Sequence, residues 1–266
     1  MKPTIVLDAH DLAIAAVLVG LDGLISLAFG LGLHRQLAVA AVRMVVQLLL
    51  IGVILTRVFA LASPLVTLTV ILAMVVIAGR EVAVRPDQRL IRLGNHTVGL
   101  AAVAFATGIT SILALTTALR PEPWYAARYA IPLVGIVLGN VLNAATLALD
   151  TLLSSVVREK AAIEAQLSLG ATAHQAMSGM LRSAMRRGLL PVVNAMSASG
   201  LVTLPGIMTG QILAGIDPME AVKYQILLMF LLSGGAGFSA VAIVFLAARR
   251  LTDSRHRLRL DRLIAT

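Results

Sequence analysis

Residues 93–119 read LGNHTVGLAAVAFATGITSILALTTAL, a run without a single Asp, Glu, Lys or Arg. A helix needs about 20 apolar residues to cross a bilayer, and all of its backbone polar groups must bond within the segment. The rest of the chain is similar, because 59% of its residues are hydrophobic and 13% are charged, against about 25% charged in soluble domains. The sequence therefore predicts an all-α, polytopic membrane protein.

Six further runs are long enough to span lipid. Four are free of charge, residues 58–79, 129–149, 188–216 and 224–248, and two contain one charge each, residues 12–33 and 37–56. The sequence thus predicts about seven transmembrane helices, with the second and third least well separated at their Ser63-Pro64 turn.

Basic residues lie mostly in alternate connections between these runs. Lys and Arg concentrate in cytoplasmic segments of membrane proteins, which predicts that the N-terminus lies outside and the C-terminus inside. Only five of the 22 basic residues then lie outside: Lys2, Arg57, Arg120, Arg128 and Lys223. The remaining ones form four inner groups: Arg35 and Arg43; Arg80, Arg85, Arg89 and Arg92; Arg158, Lys160, Arg182, Arg186 and Arg187; and six arginines from Arg249 to Arg262.

Several functional classes are disfavoured by composition. The chain has no cysteine, and its histidines lie far apart, so we expect no stably bound metal. Aromatic residues make up 4% of the chain and offer no platform for stacking bases, so the net charge of +9 indicates membrane orientation rather than nucleic-acid binding. Asp8 and Asp11 stand where a secretory signal would be basic, so the first run is predicted to be a helix of the mature protein.

The connection over residues 150–187 is long and helical in character. It contains Glu164-Ala165, then Gly170 where the chain must turn, and Ala171-Thr172, with Thr172 placed to cap the next helix. From the residues alone, an amphipathic hairpin resting on the membrane is as good an interpretation as a docking site. Glu164 with Gly170 also resembles the Glu-Ala-Ala loop of ABC importer permeases, which binds the ATPase, although Gln166 occupies the third position.

A closer resemblance covers nearly the whole chain. It extends through these segments: Arg43 with Gln47-Leu48, Ile131-Pro132, Gly139-Asn140, LSLGAT over residues 167–172, and GLVTLPGIMTG over residues 200–210, which continues to Gln225. The last motif is specific, because its mixture of Gly, Pro, Met and Thr after a membrane helix has no generic reason to recur. On these residues the chain is identified as a member of the Fet-type iron-export ABC permease family of bacteria, whose plant relatives act in aluminium tolerance.

The resemblance implies one permease domain over residues 1–266, with a coupling region at 150–187 and a basic cytoplasmic tail at 249–266. The chain has no Gly-x-x-x-x-Gly-Lys-Ser/Thr phosphate loop, so we expect ATP and Mg²⁺ on a separate ATPase chain and no cofactor here. Since seven helices suffice for half a pore, a homodimer in the bacterial inner membrane, surrounded by lipid, is the simplest assembly. The implied cargo is iron, another metal ion or a metal-related solute.

Three helices carry polar residues that lipid disfavours. Gly135, Gly139, Asn140, Asn143, Thr146 and Asp150 share one face of the fifth helix, which predicts either close helix packing or a lining for substrate. Arg43 and Gln47 lie one turn apart, and Arg43 is expected to reach the interface or pair with an acid such as Asp150. Asp22, near the middle of the first helix, is a functional candidate because a buried carboxylate is costly.

The sixth helix and the segment after it are the predicted pathway or gate. The resemblance leads us to expect an Asp and, three residues later, a Lys, whereas this chain has the neutral Asn194 and Ser197. Residues 204–223 look too rich in Gly and Pro for a regular helix and are predicted to re-enter the outer mouth or lie on its surface. The candidate gate residues are Thr203, Pro205, Gly206, Met208 and Gly210.

Three other functions compete with this interpretation. A secondary transporter of a small solute or ion is the main alternative, but no internal repeat is evident and only Asp22 resembles a coupling carboxylate. An intramembrane serine protease using Ser199 lacks a histidine in a later helix, since His256 lies in the tail. A retinal-type receptor needs a lysine deep in its last helix, and Lys223 lies at the edge.

The charge pattern yields a direct test of orientation. A Ser168→Cys variant of this cysteine-free chain is expected to resist an impermeant thiol reagent in intact cells and to react once the cells are opened. An Arg120→Cys variant is the matched control and should react from outside. Ready labelling of position 168 in intact cells would contradict the predicted topology.

Overall fold

The computed structural model describes residues 8–61, 63–91, 94–253, 255 and 257–265. Lys2, Arg92 and His256, to which the sequence analysis assigned positions, lie outside this part of the chain. The helices are α1 (Ala9–Ala28), α2 (His34–Leu61), α3 (Pro64–Val84), α4 (Gly94–Leu113), α5 (Ala127–Arg158), α6 (Lys160–Ser168), α7 (Ala173–Ala198), α8 (Gly206–Leu213) and α9 (Pro218–Leu251). A π-helical turn, Ala114–Leu119, extends α4, and a 3₁₀ turn, Leu260–Arg262, lies in the tail between two short strands, β1 (Gln88–Leu90) and β2 (Leu263–Ala265).

The all-α, polytopic prediction is confirmed. Within the described residues, six helices are long and apolar enough to cross a membrane: α1, α2, α3, α4 with its π turn, α5 and α9. Helix α7 packs along α5 but contains Arg182, Arg186 and Arg187 and is not one of the six, so the predicted number of seven and the orientation that rests on it stay predictions. The predicted sixth helix, residues 188–216, is not continuous. Its first part is the end of α7, residues 199–205 are not helical, and α8 supplies the rest. The run is apolar throughout, yet α7 ends at Ala198. Gly200 follows with a φ of +88°, a backbone conformation that is not helical and that favours glycine.

Other boundaries differ from the predicted ones for local reasons. Arg57 does not end the second helix; α2 continues to Leu61, and α3 starts at Pro64, where proline suits a first helical turn. Residues 204–223 are more helical than predicted, since α8 forms within them and Asp217 caps α9 by accepting hydrogen bonds from the amides of Met219 and Glu220. The predicted excursion 150–187 is continuous with the long helices α5 and α7.

The chain forms two compact units, one with α1 and α2 and one with α3 to α9. In the first unit the two helices pack as a hairpin, and the amide of Leu33 donates to the hydroxyl of the buried Ser26 (2.9 Å). Most of the large apolar side chains of this hairpin are exposed. It therefore offers a surface suited to lipid or to another protein.

In the second unit, α5 lies at the centre and packs against α3, α4, α7 and α9. Its contacts with α7 and α9 depend on small residues. A Cβ atom added at Gly188 of α7 would lie 2.7 Å from the carbonyl oxygen of Ala144 and 3.1 Å from the Cβ atoms of Ala148 and Ala240. Helices associate in lipid through close backbone approach of this kind, because the surrounding acyl chains are as apolar as the side chains and the hydrophobic effect does not drive helices together.

The second unit closes at one end with a small antiparallel sheet, in which β1, after α3, pairs with β2 of the tail. Buried Asn95 of α4 supports it: the amide of Leu90 donates to the Asn95 side-chain oxygen (3.1 Å), and the Asn95 side-chain amide donates to the carbonyl of Ala83 (3.0 Å). We call the end of the second unit that carries this sheet the basic end. The connection after α3 and the tail, which the charge pattern assigns to the same side of the membrane, are thus in contact.

The close approach at Gly188 generates a stability prediction. Replacing a helical glycine by alanine normally gains about 0.5–1 kcal/mol in helix propensity. Gly188→Ala should instead destabilise the protein by roughly 1–3 kcal/mol, as overpacking does, because the backbone of α5 cannot give way. Gly179→Ala on the same helix, where a Cβ meets nothing within 4 Å, is the control and should be neutral or stabilising.

Thermal unfolding of the two purified variants in detergent measures this difference. Equal shifts in the midpoint for Gly188→Ala and Gly179→Ala would mean that α5 and α7 are further apart than described.

Candidate functional site

The helical hairpin of α6 and the start of α7 follows the end of α5, and His174 of α7 stacks on Phe245 of α9 with ring centres 6.1 Å apart. Gly170 has a φ of +90°, which an L side chain adopts with strain, and the chain reverses there as predicted. Thr172 caps α7, since its hydroxyl accepts from the amide of Gln175 (3.3 Å) while the amide of Thr172 donates to the Gln175 side chain (2.9 Å). This reciprocal capping box fixes the direction in which α7 leaves the turn.

The hairpin has a buried side and an exposed side. Ile163 is buried in the main core and anchors α6 to the second unit. Glu164 and Ala165 are exposed, Ala171 is half-buried, and Glu164 lies 3.7 Å from the ammonium group of Lys160. At the tip, Leu169 is 88% exposed and provides an apolar group beside the polar residues of the hairpin. The tip is therefore suited to contact with another protein.

A polar cavity of about 440 Å³ lies where the hairpin joins the end of α5. The polar residues that line it include Arg158, Glu159, Gln166, Gln175, Ser178 and Ser183. None of these was singled out as part of a cavity from the sequence, because they come from three helices. Their charges and hydroxyls provide hydrogen-bonding groups beside the exposed tip.

The polar face of α5, the six residues predicted from their spacing, is partly uncovered. Gly139 and Asn143 are exposed, and Asn140 is half-buried. The side-chain amide of Asn140 donates to the carbonyl of Ile136 in its own helix (3.3 Å), and a Cβ at Gly139 would meet nothing within 4 Å. Close packing therefore does not explain Gly139 and Asn140 within this chain, although Gly135 does approach Met74.

Asp150 and Thr146 continue this face towards the basic end. The carboxylate of Asp150 accepts a hydrogen bond from the amide of Asp87 (3.4 Å), which ties α5 to the connection after α3. The hydroxyl of Thr146 is buried and, among the described residues, has no hydrogen-bond partner. The predicted pairing of Asp150 with Arg43 stays a prediction, since Arg43 belongs to the first unit.

Asn194 and Ser197 lie near the far end of α7 and are both exposed. The hydroxyl of Ser197 donates to the carbonyl of Val193 (2.9 Å). Helices α5 and α7 run antiparallel, because Ser183 lines a cavity together with Ser155 whereas Gly188, further along α7, lies against the earlier residues Ala144 and Ala148. At 1.5 Å per residue, Asn194 lies about 9 Å beyond Gly188 along α7. Asn140 lies about 6–12 Å from Ala144 and Ala148 along α5, in the same direction. The amides on the two helices are therefore at similar depth.

An apolar cavity of about 550 Å³ lies at the end opposite the hairpin, between α7, α8 and α9. It is lined by Pro205 and Met208, both predicted gate residues, and by Met196, Met229, Gln225 and Phe230, which sequence reasoning did not place there. Gly206 and Gly210 lie on α8, and the hydroxyl of Thr203 donates to the carbonyl of Ala198 (3.4 Å). We call this space the outer cavity.

Gln225 distinguishes the outer cavity from an ordinary packing gap. It is only 8% exposed, and its side-chain oxygen has no hydrogen-bond partner among the described residues. A buried amide oxygen without a partner costs about 1–3 kcal/mol, so it is expected where a ligand or water supplies the bond. The three methionines add polarisable thioethers on flexible side chains.

Three predicted polar residues lie in the first unit. Asp22 on α1 is exposed, as are Arg43 and Gln47 on α2. Arg43 and Gln47 are separated by one helical turn, as predicted. Their roles stay predictions.

Comparison with known proteins identifies close relatives. The sequence profile described as an uncharacterised protein family, UPF0014, matches residues 9–252. A UPF0014 membrane protein of Synechocystis is 39% identical over 86% of this chain and 88% of its own length. The probable iron export permease protein FetB of Escherichia coli is 32% identical over 94% of both chains. The protein ALUMINUM SENSITIVE 3 of Arabidopsis thaliana is 30% identical over 88% of this chain and 84% of its own length. No solved structure matches the chain.

The two buried amides Gln225 and Asn95 should respond in opposite ways to replacement by leucine. Asn95→Leu removes both bonds that support β1 and leaves their backbone partners unpaired, which should cost about 1–3 kcal/mol for each. Gln225→Leu removes an unpartnered oxygen and should leave the stability unchanged or raise it. Thermal unfolding in detergent measures both, and a comparable loss in Gln225→Leu would show that its amide has a structural partner.

Proposed function

The chain belongs to the UPF0014 family, and we propose that it is the membrane-spanning permease subunit of an ATP-binding-cassette transporter in the bacterial inner membrane. The observation that carries this proposal is the α6–α7 hairpin. It combines a left-handed glycine turn, a capping box and an exposed leucine at its tip, at the end of the bundle that the charge pattern assigns to the cytoplasm. A rigid, exposed apolar tip is suited to a cleft on a soluble partner.

We assign the driving reaction to that partner. The chain has no phosphate loop, so ATP and Mg²⁺ would bind to a separate ATPase subunit. Glu164, Ala165, Gly170, Ala171 and Thr172 form the part of the hairpin proposed to enter it. Helix α7 extends from the hairpin to Ala198 with Pro191 inside it, so a movement of the tip would reach Asn194 and Ser197 through a helix that can bend at this proline.

A second copy of the chain would complete the pathway. An exposed amide face on a spanning helix is unfavourable against lipid but tolerated beside water or protein. Gly139, Asn140 and Asn143 of α5 meet this description, and Asn194 of α7 lies at similar depth. We therefore propose a homodimer in which these polar residues line the route and the outer cavity gates it.

The cargo is proposed from the relatives and the residues together. FetB is named a probable iron export permease, and we extend iron, another metal ion or a metal-related solute to this chain as the exported class. The route is neutral at Asn194 and Ser197. Around these two positions cargo would therefore be held by amide oxygens, hydroxyls and thioethers, with Asp150 as the carboxylate further along the same face of α5.

The hairpin assignment predicts a coupling defect. Gly170→Val places a β-branched residue at a φ of +90°, which should distort the tip while leaving the membrane helices intact. With the ATPase subunit in reconstituted vesicles, we expect the permease-stimulated rate of ATP hydrolysis to fall at least tenfold. Gly30→Val, at another left-handed glycine between α1 and α2, is the control for strain alone and should retain stimulation.

Leu169→Ser separates docking from folding. It removes the exposed apolar tip without altering the backbone, so binding of the ATPase should weaken while detergent-extracted yield is unchanged. Undiminished stimulation by both Gly170→Val and Leu169→Ser would mean that the partner binds elsewhere or does not exist.

A further inference from the structure

A basic cavity of about 690 Å³ lies at the basic end, and none of its lining residues belongs to the α6–α7 hairpin. It is bounded by the start of α4, the last turn of α9 and the returning tail. Its charged lining consists of Arg250, Arg259, Asp261 and Arg262, and Gly94 and Thr97 complete the side formed by α4.

The charges of this cavity do not balance. Arg259 donates from both Nε and Nη2 to the Asp261 carboxylate (both 2.8 Å), and that guanidinium holds the pKa of Asp261 below its usual range. Arg262 donates to the backbone carbonyl of Arg250 (2.8 Å), a bond that neutralises no charge. Among the described residues Arg250 forms no ion pair. Asp261 also interacts with the charge of Arg262, and three arginines with one aspartate leave these four lining side chains with a net charge of +2.

The position of the cavity limits what can fill it. It lies where α4 begins and α9 ends, and both helices are long and apolar enough to cross a membrane, so we infer that it lies near the lipid headgroups. Deeper along the same two helices, Phe105 and Phe238 are exposed and pack edge to face with ring centres 6.4 Å apart. Phe105 is 11 residues from Gly94 and Phe238 is 12 from Arg250, so the pair lies roughly 17 Å below the cavity. That depth is close to the middle of a bilayer.

We propose that this cavity binds the phosphate headgroup of an anionic phospholipid, whose acyl chains lie along the α4–α9 surface past Phe105 and Phe238. Arginine matches phosphate oxygens with paired N–H donors, and basic pockets between helices at the cytoplasmic surface are suited to anionic headgroups. The start of α4 adds the positive end of a helix dipole. The inner-leaflet assignment rests on the predicted orientation.

The bound lipid would have a structural consequence. The cavity walls come from three parts of the chain, the start of α4, the end of α9 and the tail that carries β2. A phosphate bridging Arg250 and Arg262 would hold the tail against the membrane end of the bundle. Anionic lipid should therefore stabilise the purified protein.

The test uses the full chain in detergent and its thermal unfolding. Phosphatidylglycerol should raise the midpoint more than phosphatidylcholine with the same acyl chains. Arg250→Gln should weaken the apparent affinity for phosphatidylglycerol roughly fivefold, the effect of one basic residue near a lipid surface. Arg249→Gln is the matched control, because Arg249 is an exposed arginine on the same turn that does not line the cavity.

The outcomes distinguish three sources of stabilisation by phosphatidylglycerol: the cavity, a diffuse basic surface and a site for a soluble anion. Equal weakening by Arg249→Gln and Arg250→Gln would overturn the proposal in favour of a diffuse basic surface. Inorganic phosphate matching the effect of phosphatidylglycerol would overturn the lipid assignment and indicate a soluble anion. In phosphatidylcholine alone we expect the same unfolding midpoint for both variants, which would show that Arg250→Gln folds normally. A lowered midpoint for Arg250→Gln in phosphatidylcholine, with its affinity for phosphatidylglycerol retained, would contradict the proposal, because Arg250 would then have a structural role.

Discussion

The close approach of α5, α7 and α9 at Gly188 is the constraint on which the second unit depends. In lipid, apolar side chains gain little by leaving one apolar environment for another, so helices associate through packing at short distance. Gly188 lies against the backbone of α5 and the side chain of Ala240 with no space for a further carbon. This contact sets how α7 lies along α5, and hence both where the hairpin projects at one end and where Asn194 is placed at the other.

Helix α5 has two faces with different chemistry. Ala144, Ala145 and Ala148 are buried against the rest of the bundle, while the amides of Asn140 and Asn143 remain on the partly or fully exposed side. Alanines allow neighbouring helices to come close, and amides are unfavourable against lipid. Helix α5 therefore contributes its alanine face to the core of one protomer. In the proposed dimer, its amide face would line the route between the two protomers.

Much of this arrangement could be predicted from the sequence, and the exceptions have physical causes. The spanning helices follow from apolar runs, and the hairpin follows from Gly170 and Thr172, because both signals are local. Hydropathy did not reveal the break after Ala198, since the backbone can leave a helix without any change in polarity. Only part of the lining of the outer cavity, Pro205 and Met208, could be predicted from the sequence. Met196, Met229 and Gln225 come from two helices far apart along the chain, and no local pattern links them.

The pairing of β1 with β2 has a consequence for how the protein is made. Strand β1 is translated directly after α3, whereas its partner β2 is translated only after α4 to α9. During the interval the amides of β1 must be hydrated or held by other groups. The sheet can therefore close only after the six described spanning helices have been translated, which makes its pairing later than the synthesis of α3 to α9.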